Sequence, residues 1–388
     1  MTNRHEARRA LVTGAGGFIG HHLVKRLKAD GFWVRGVDLK RPEFEPSLAD
    51  EFVIADLRSL ESCTDAVLGV QDVYQLAADM GGIGYIAKFH SRLARNNTLI
   101  NAHMLEASRL EGIERYLYTS SACVYPSFLQ DRENVSPLRE QDAIPANPEI
   151  GYGWEKLFAE QLTSYYHQDD NLDVRIVRFH NVYGPLGTYE GGREKAPAAI
   201  CRKVAEAEDG TSIEVWGDGR QTRTFCFIDD CVEGIRRIME SGYNDPINLG
   251  TDEVVTADEL VDLVCSIAEK HLEKVHNLDQ PQGVRGRNCD TTQFRELLRW
   301  EPRVPLVEGL RETYAWVWSD LARRGRAKPP MPRIPIEQSP FLPVAQSLLR
   351  PPVEPSAEGA LRTDLHLGWG FVGEDQPEDG RENPPDSL

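Results

Sequence analysis

Ala10-Leu11-Val12-Thr13-Gly14-Ala15-Gly16-Gly17-Phe18-Ile19-Gly20 decides the fold of this chain. Ala10 to Thr13 reads as a first strand, the glycines as a tight turn, and Ile19 to Ala29 as an amphipathic helix. Glycines at that junction let a pyrophosphate approach the helix N-terminus, where free N–H groups and the helix dipole favour an anion. The spacing is G-x-x-G-x-x-G rather than the usual G-x-G-x-x-G, so the turn alone is weak support. Asp38, closing the next strand, strengthens it, because a carboxylate there bonds the ribose hydroxyls and repels a 2′-phosphate. NAD is therefore favoured over NADP, although Lys40 and Arg41 stand nearby. Asp56 is positioned to meet the adenine. The expected cofactor-binding set is Gly14, Gly17, Phe18, Ile19, Gly20, Asp38, Asp56, Leu57 and Ala77, joined by Tyr152 and Lys156.

Working outward, β-rich runs alternate with longer helical patterns. Strands are expected over 33–38, 51–56, 72–76, 116–120 and 174–178, and helices over 91–111, 152–167, 196–207, 257–272 and 306–322. The fold class is α/β: a Rossmann-type doubly wound parallel sheet with a smaller C-terminal α/β substrate domain and an irregular, Pro-rich acidic tail. Residues 1–183, with 224–250 returning to them, form the expected NAD-binding domain. Residues 184–223 and 251–326 form the substrate-binding domain. Half of the 24 prolines lie beyond Lys328, which implies an extended or disordered tail over 327–388. Within it, Leu365-His366-Leu367-Gly368-Trp369-Gly370-Phe371 is apolar enough to dock on a surface.

The formal charge of −17 argues against non-specific binding to nucleic acid or to an anionic membrane. No run of about 18 apolar residues exists to cross a bilayer. Seven cysteines without C-x-x-C make neither a disulfide framework nor a zinc knuckle, and no other metal-ligand pattern stands out. A reducing, cytoplasmic setting and no metal are expected.

The chemistry concentrates at Ser120-Ser121-Ala122-Cys123 and Tyr152-Gly153-Trp154-Glu155-Lys156. Tyr152 and Lys156 share a helix face, and the Lys cation favours a phenolate. With Ser121 they can move a hydride between an alcohol carbon and a nicotinamide. Read as the continuation of the strand, Cys123 points into the same cavity as Ser121. Hydride transfer needs no thiol there; a second, proton-transfer step does.

These features resemble the extended short-chain dehydrogenase/reductase superfamily. The segments 76–84, 120–126, 178–185, 191–199, 216–223 and 283–288 resemble more narrowly the family of GDP-mannose 3,5-epimerases, in order, over about residues 9–320. That resemblance implies an NAD-dependent isomerase acting on a GDP-hexose. Tyr152, with Lys156 and Ser121, takes the C4 hydroxyl proton while hydride leaves C4. The 4-ketone acidifies the C3 and C5 protons, which Cys123 and Lys195 exchange from opposite faces before C4 is reduced again. Arg193 is the expected cation lowering the pKa of Lys195. The 4,6-dehydratases of the superfamily carry acids where this chain has Ala122 and Cys123, so elimination of water lacks its acid. Substrate contacts implied by the resemblance are Gly81, Ser121, Ala122, Cys123, Asn181, Glu194, Lys195, Ala196, Lys203, Gln221, Arg223 and Arg287. The resemblance also implies a homodimer through the helices at 91–111 and 152–167. Two other readings stay open: a C4 epimerase of another GDP- or related nucleotide sugar, and a non-catalytic NAD-binding regulatory protein.

Overall fold

The apolar runs fold as a sheet buried on both faces. The computed structural model describes residues 7–332; the tail segment Leu365 to Phe371, with the rest of 333–388, lies outside the described residues. β1 (Arg9–Thr13) passes through the glycine turn into α1 (Phe18–Ala29), and β2 (Trp33–Asp38) and β3 (Glu51–Ile54) follow. α2 (Leu60–Val67), β4 (Asp72–Gln75), the single turn α3 (Ile83–Ile86) and α4 (His90–Glu111) come next. They lead into β5 (Arg115–Ser121), α5 (Gly151–Asp170) and β6 (Val174–Phe179). The remaining strands are β7 (Val182–Tyr183), β8 (Ser212–Trp216), β9 (Thr222–Thr224), β10 (Cys226–Phe227), β11 (Pro246–Leu249), β12 (Val254–Thr256) and β13 (Glu273–Asn277). Among them lie α6 (Ala196–Glu206), α7 (Ile228–Glu240), α8 (Ala257–Ala268), α9 (Thr292–Leu298) and α10 (Leu306–Arg323).

Seven strands pair in the order β3-β2-β1-β4-β5-β6-β11, every pair parallel. Side chains alternate faces along each strand. Leu11, Val73, Tyr116 and Ile176 pack with α2, α4 and α5 on one side. Ala10, Val12, Tyr74, Leu117 and Val177 pack on the other, where α1 and α7 lie. The chain order reverses between β1 and β4, so a crevice opens beyond their C-terminal ends, the usual ligand position in a doubly wound sheet. The second core runs on without a break into α6, α8 and α10, through Cys201, Val204, Leu260, Val264, Leu310 and Tyr314. The described residues accordingly belong to one compact unit. Beside the main sheet stand three two-stranded ribbons, β7/β10, β9/β12 and β8/β13.

Helices α2, α7 and α9, with the single turn α3, lie where the sequence reading expects none. The pattern of α7 is nevertheless helical: Ile228, Cys231, Val232, Ile235, Ile238 and Met239 are buried, and Asp229 and Asp230 occupy the first turn, where the helix dipole favours acids.

Candidate active site

One cleft of about 990 Å³ collects every residue expected to bind cofactor or substrate. Its floor is the glycine turn. Gly14 has φ +67°, and a Cβ at Gly20 would collide with the Gly14 carbonyl oxygen. A Cβ at Gly16 would collide in the same way with the Lys40 carbonyl oxygen. The first turn of α1 carries no side-chain cap and no acidic residue, so its N–H groups remain suited to an anion. Asp38 Oδ2 accepts from Gly16 N at 3.0 Å and Oδ1 from Lys40 N at 3.2 Å; burial nonetheless pushes its pKa up. Asp56 is gripped by the Arg58 guanidinium at 2.5 Å, which holds its pKa down. Phe18, Ile19, Leu57 and Ala77 complete this end. A glycine cradle, an uncapped helix start and a carboxylate at the end of β2 together fit a dinucleotide such as NAD.

The first wall rests on β5 and α5. β5 ends at Ser121, and Ala122–Val124 form a 3-10 turn rather than more strand. Strand alternation therefore does not aim Cys123. Instead the Ser121 hydroxyl accepts from Cys123 N at 3.2 Å, the turn-forming role that serine favours, and the turn brings the thiol to the cleft. Gly153 lets α5 rest on this turn, since a Cβ there would collide with the Cys123 carbonyl oxygen. Tyr152 and Lys156 are both buried. Lys156 Nζ donates to the Thr119 carbonyl at 2.9 Å and lies 5.7 Å from the Tyr152 ring centroid. Burial lowers the Lys156 pKa and drives that of Tyr152 well above its ordinary value; a hydrogen bond with Ser121 opposes the rise. Burial thus works against the lysine-assisted phenolate expected from the sequence.

Behind this wall sits a buried polar cluster. Arg178 forms a forked pair with Glu160 at 2.9 and 2.7 Å, and Ser120 also donates to Glu160. Tyr125 donates to Asn248 at 2.6 Å, and Asn248 also meets His180 Nε2 at 3.0 Å.

The second wall is made of loops and ribbons. Gly191 and Gly192, at φ +91° and +84°, turn the chain so that Lys195 caps α6 and Ala196 begins it. Burial lowers the pKa of Lys195, and Cys123 lies near enough to oppose that shift electrostatically. Arg193 is not the neighbour expected: its guanidinium bonds Tyr85 Oη at 2.5 Å and Asp79 at 3.3 Å, drawn away by that carboxylate. Glu194 accepts from Gly192 N at 2.6 Å, and Lys203 is turned to Glu214 at 2.9 and 3.2 Å. Asn181, in the left-handed region at φ +45°, donates to the Thr224 carbonyl at 3.0 Å. Gln221 donates to the Trp216 carbonyl at 2.7 Å while its buried Oε1 has no partner. Arg223 donates to the carbonyls of Gln282 and Val284, and burial pushes its pKa down to about 9. Gly81 lies against Tyr85, and a Cβ there would crowd that ring.

Arg287, expected as a substrate contact, lines the cleft and makes a contact that sequence reasoning does not foresee. Its Nε donates to Gln130 Oε1 at 2.5 Å, Nη1 points at Cys123 Sγ at 3.7 Å, and the buried Nη2 has no partner. A guanidinium here answers negative charge on the sulfur as readily as on a phosphate. The two residues are 164 positions apart, and no local signal joins them. Glu149, which lines the cleft and interacts with Arg223, is likewise not among the expected residues. Among the described residues no group of His, Cys, Asp and Glu side chains is arranged to hold a metal ion.

Residues 10–250 match the NAD dependent epimerase/dehydratase family. GDP-mannose 3,5-epimerase of Arabidopsis thaliana is 50% identical over 309 residues, covering 79% of this chain and 81% of that protein. UDP-glucose 4-epimerase of Thermotoga maritima, solved with UDP-glucose, has a TM-score of 0.73 at 27% identity, covering 81% of this chain and 99% of the other. The UDP-glucose 4-epimerase of Thermus thermophilus, solved as its complex with NAD, has a TM-score of 0.70 at 25% identity, with 80% and 98% covered.

Proposed function

We propose, from the premise that this chain belongs to the NAD dependent epimerase/dehydratase family, that it is a GDP-mannose 3,5-epimerase converting GDP-mannose to GDP-L-galactose. The observation that carries the reading is the convergence of Cys123 and Lys195 on one cleft with Tyr152. A 4-epimerase needs only the tyrosine.

Tyr152 Oη takes the C4 hydroxyl proton, with Ser121 holding the phenol in line. NAD held by the glycine turn, Asp38 and Lys156 would supply the acceptor and donor for the C4 hydride, and its oxidised ring would add a positive charge favouring the Tyr152 phenolate. With C4 a ketone, the protons on C3 and C5 become acidic. Cys123 and Lys195 serve as the base and acid for those carbons, one from each face. Burial lowers the Lys195 pKa toward the range where an amine can take and give a proton, and Arg287 steadies negative charge on the thiol. Gly81, Ala122, Asn181, Glu194 and Gln221 hold the sugar nucleotide, while Lys203, Arg223 and Arg287 supply positive charge. On this reading 1–183 with 224–250 serve the cofactor, and 184–223 with 251–326 serve the substrate.

Two further parts of the proposal concern the whole protein. A homodimer is supported by an apolar outer face on α4 and α5, where Trp154, Phe158 and Tyr165 are 51%, 52% and 52% exposed beside Leu99 and Leu110. A cytoplasmic setting is in keeping with seven unpaired cysteines. No described helix is long and apolar enough to cross a membrane.

Incubation with GDP-mannose in heavy water tests the reading. Deuterium is expected at both C3 and C5. Inversion at C4 of another sugar with no such exchange overturns it.

A further inference from the structure

A strap crosses the cofactor end of the cleft. After β2 the chain leaves the sheet at Leu39 and rejoins it near Asp50. Its first contact is the close approach of the Lys40 carbonyl to Gly16. Its second is Glu45, which meets His21 Nε2 and Lys25 Nζ, both at 2.7 Å, on the opening turns of α1. Its third reaches the far side: the Phe44 ring lies edge-on to Trp316 of α10, centroids 4.8 Å apart, and parallel to Tyr189 at 6.0 Å. Tyr189 and Trp316 also touch each other, with centroids 5.5 Å apart. Tyr189 is buried, its hydroxyl bonds Asp320 of α10, and its carbonyl accepts from Arg202 of α6 at 3.0 Å. One short segment therefore ties the glycine turn and α1 to α10 across the cleft that Lys40, Phe44 and Glu45 help to line.

We propose that this strap, latched by Phe44 against Trp316 and Tyr189, retains the dinucleotide between turnovers and sets the rate at which it leaves. The chemistry demands retention: a hydride borrowed from C4 must be returned by the same cofactor, and a cofactor that left reduced would strand the ketone. The strap's first two anchors flank the glycine turn and the opening turns of α1, the part of the cleft that fits a dinucleotide, and the aromatic latch is the one that reaches α10. The inference rests on the family's use of NAD and not on which sugar is bound.

The test measures dinucleotide, not turnover. Full-length protein loaded with NAD is desalted, its bound NAD is counted, and the exit rate is followed by dilution into excess competing ADP-ribose. Phe44→Ala should release NAD roughly tenfold faster than the parent, the loss expected for one aromatic latch. Phe44→Tyr should restore slow release, and excess NAD should refill the alanine variant. Release from Phe44→Ala at the parent's rate overturns the proposal. Should that variant fail to fold, Glu45→Gln decides in its place, since it loosens the α1 anchor and leaves the aromatic rings intact. Faster exit supports the strap, and unchanged exit overturns it.

Discussion

Ser121, Tyr152 and Lys156 stand on the end of a seven-stranded sheet and on a twenty-residue helix, backed by the Glu160–Arg178 pair. Across the cleft, Lys195, Gln221, Arg223 and Arg287 hang from glycine turns and two-stranded ribbons, and the last three bond mainly carbonyl or amide oxygens. The contrast suits two kinds of chemistry. Hydride transfer tolerates little displacement, because a misplacement of about 1 Å can cost on the order of 10²-fold. The side carrying that step is regular and braced. Proton exchange at two carbons, and the choice of sugar, ask for reach from several directions, which loops provide.

The division can be broken by substitution. Tyr152→Phe should lower turnover by about 10³-fold, and deuterium exchange at C3 and C5 should fall with it, because no ketone forms. Exchange that survived in this variant would show that the braced wall does not come first. Lys195→Met and Cys123→Ser should each cost roughly 10²-fold in epimerisation while bound NAD is still reduced in a single turnover with GDP-mannose. If either variant stopped that reduction as well, the two walls would not be separable. Phe158→Asp, on the outer face of the braced wall, should shift the mass in analytical ultracentrifugation from two chains to one. Parent protein sedimenting as a monomer would remove the reason for that face.

The smallest effect concerns acid stability. His180 is fully buried and its pKa is held down from 6.5 to about 3. Unfolded chains bind its proton first, so the parent should lose stability as pH falls from about 6.5 toward about 3, with no contribution above 6.5. His180→Gln should flatten the fall of the urea midpoint over that interval. His22, held down to about 4, keeps its own share in both proteins. Equal slopes in parent and variant would remove His180 from the account.

The braced wall is also the readable one. Strands buried on both faces write themselves as apolar runs, and a glycine turn between strand and helix has a local signature. Tyr152 and Lys156 can be paired because four residues on a helix share a face. Strand periodicity puts Cys123 in the cleft for the wrong reason: its position depends on the Ser121 hydroxyl closing a 3-10 turn, and periodicity cannot anticipate where a strand yields to such a turn. Adjacency in sequence assigns Arg193 to Lys195, whereas Asp79, 114 positions away, decides its direction. The contact of Arg287 with Cys123 has no local grammar at all. Helix α7 is different, since its apolar spacing is legible and its burial follows that spacing.

Ser121 joins what the two kinds of chemistry keep apart. Its oxygen accepts from the Cys123 amide and also meets the Tyr152 phenol, so one side chain sets the thiol's perch and moderates the rise that burial imposes on the tyrosine's pKa. An engineer wishing to strip proton exchange from this scaffold could exchange the thiol and keep oxidation. The serine offers no such choice. Threonine would keep the hydroxyl but add a methyl beside the turn, and alanine would release the thiol and the phenol together, so the shortest route to a simpler catalyst starts at Cys123 and leaves its neighbour alone.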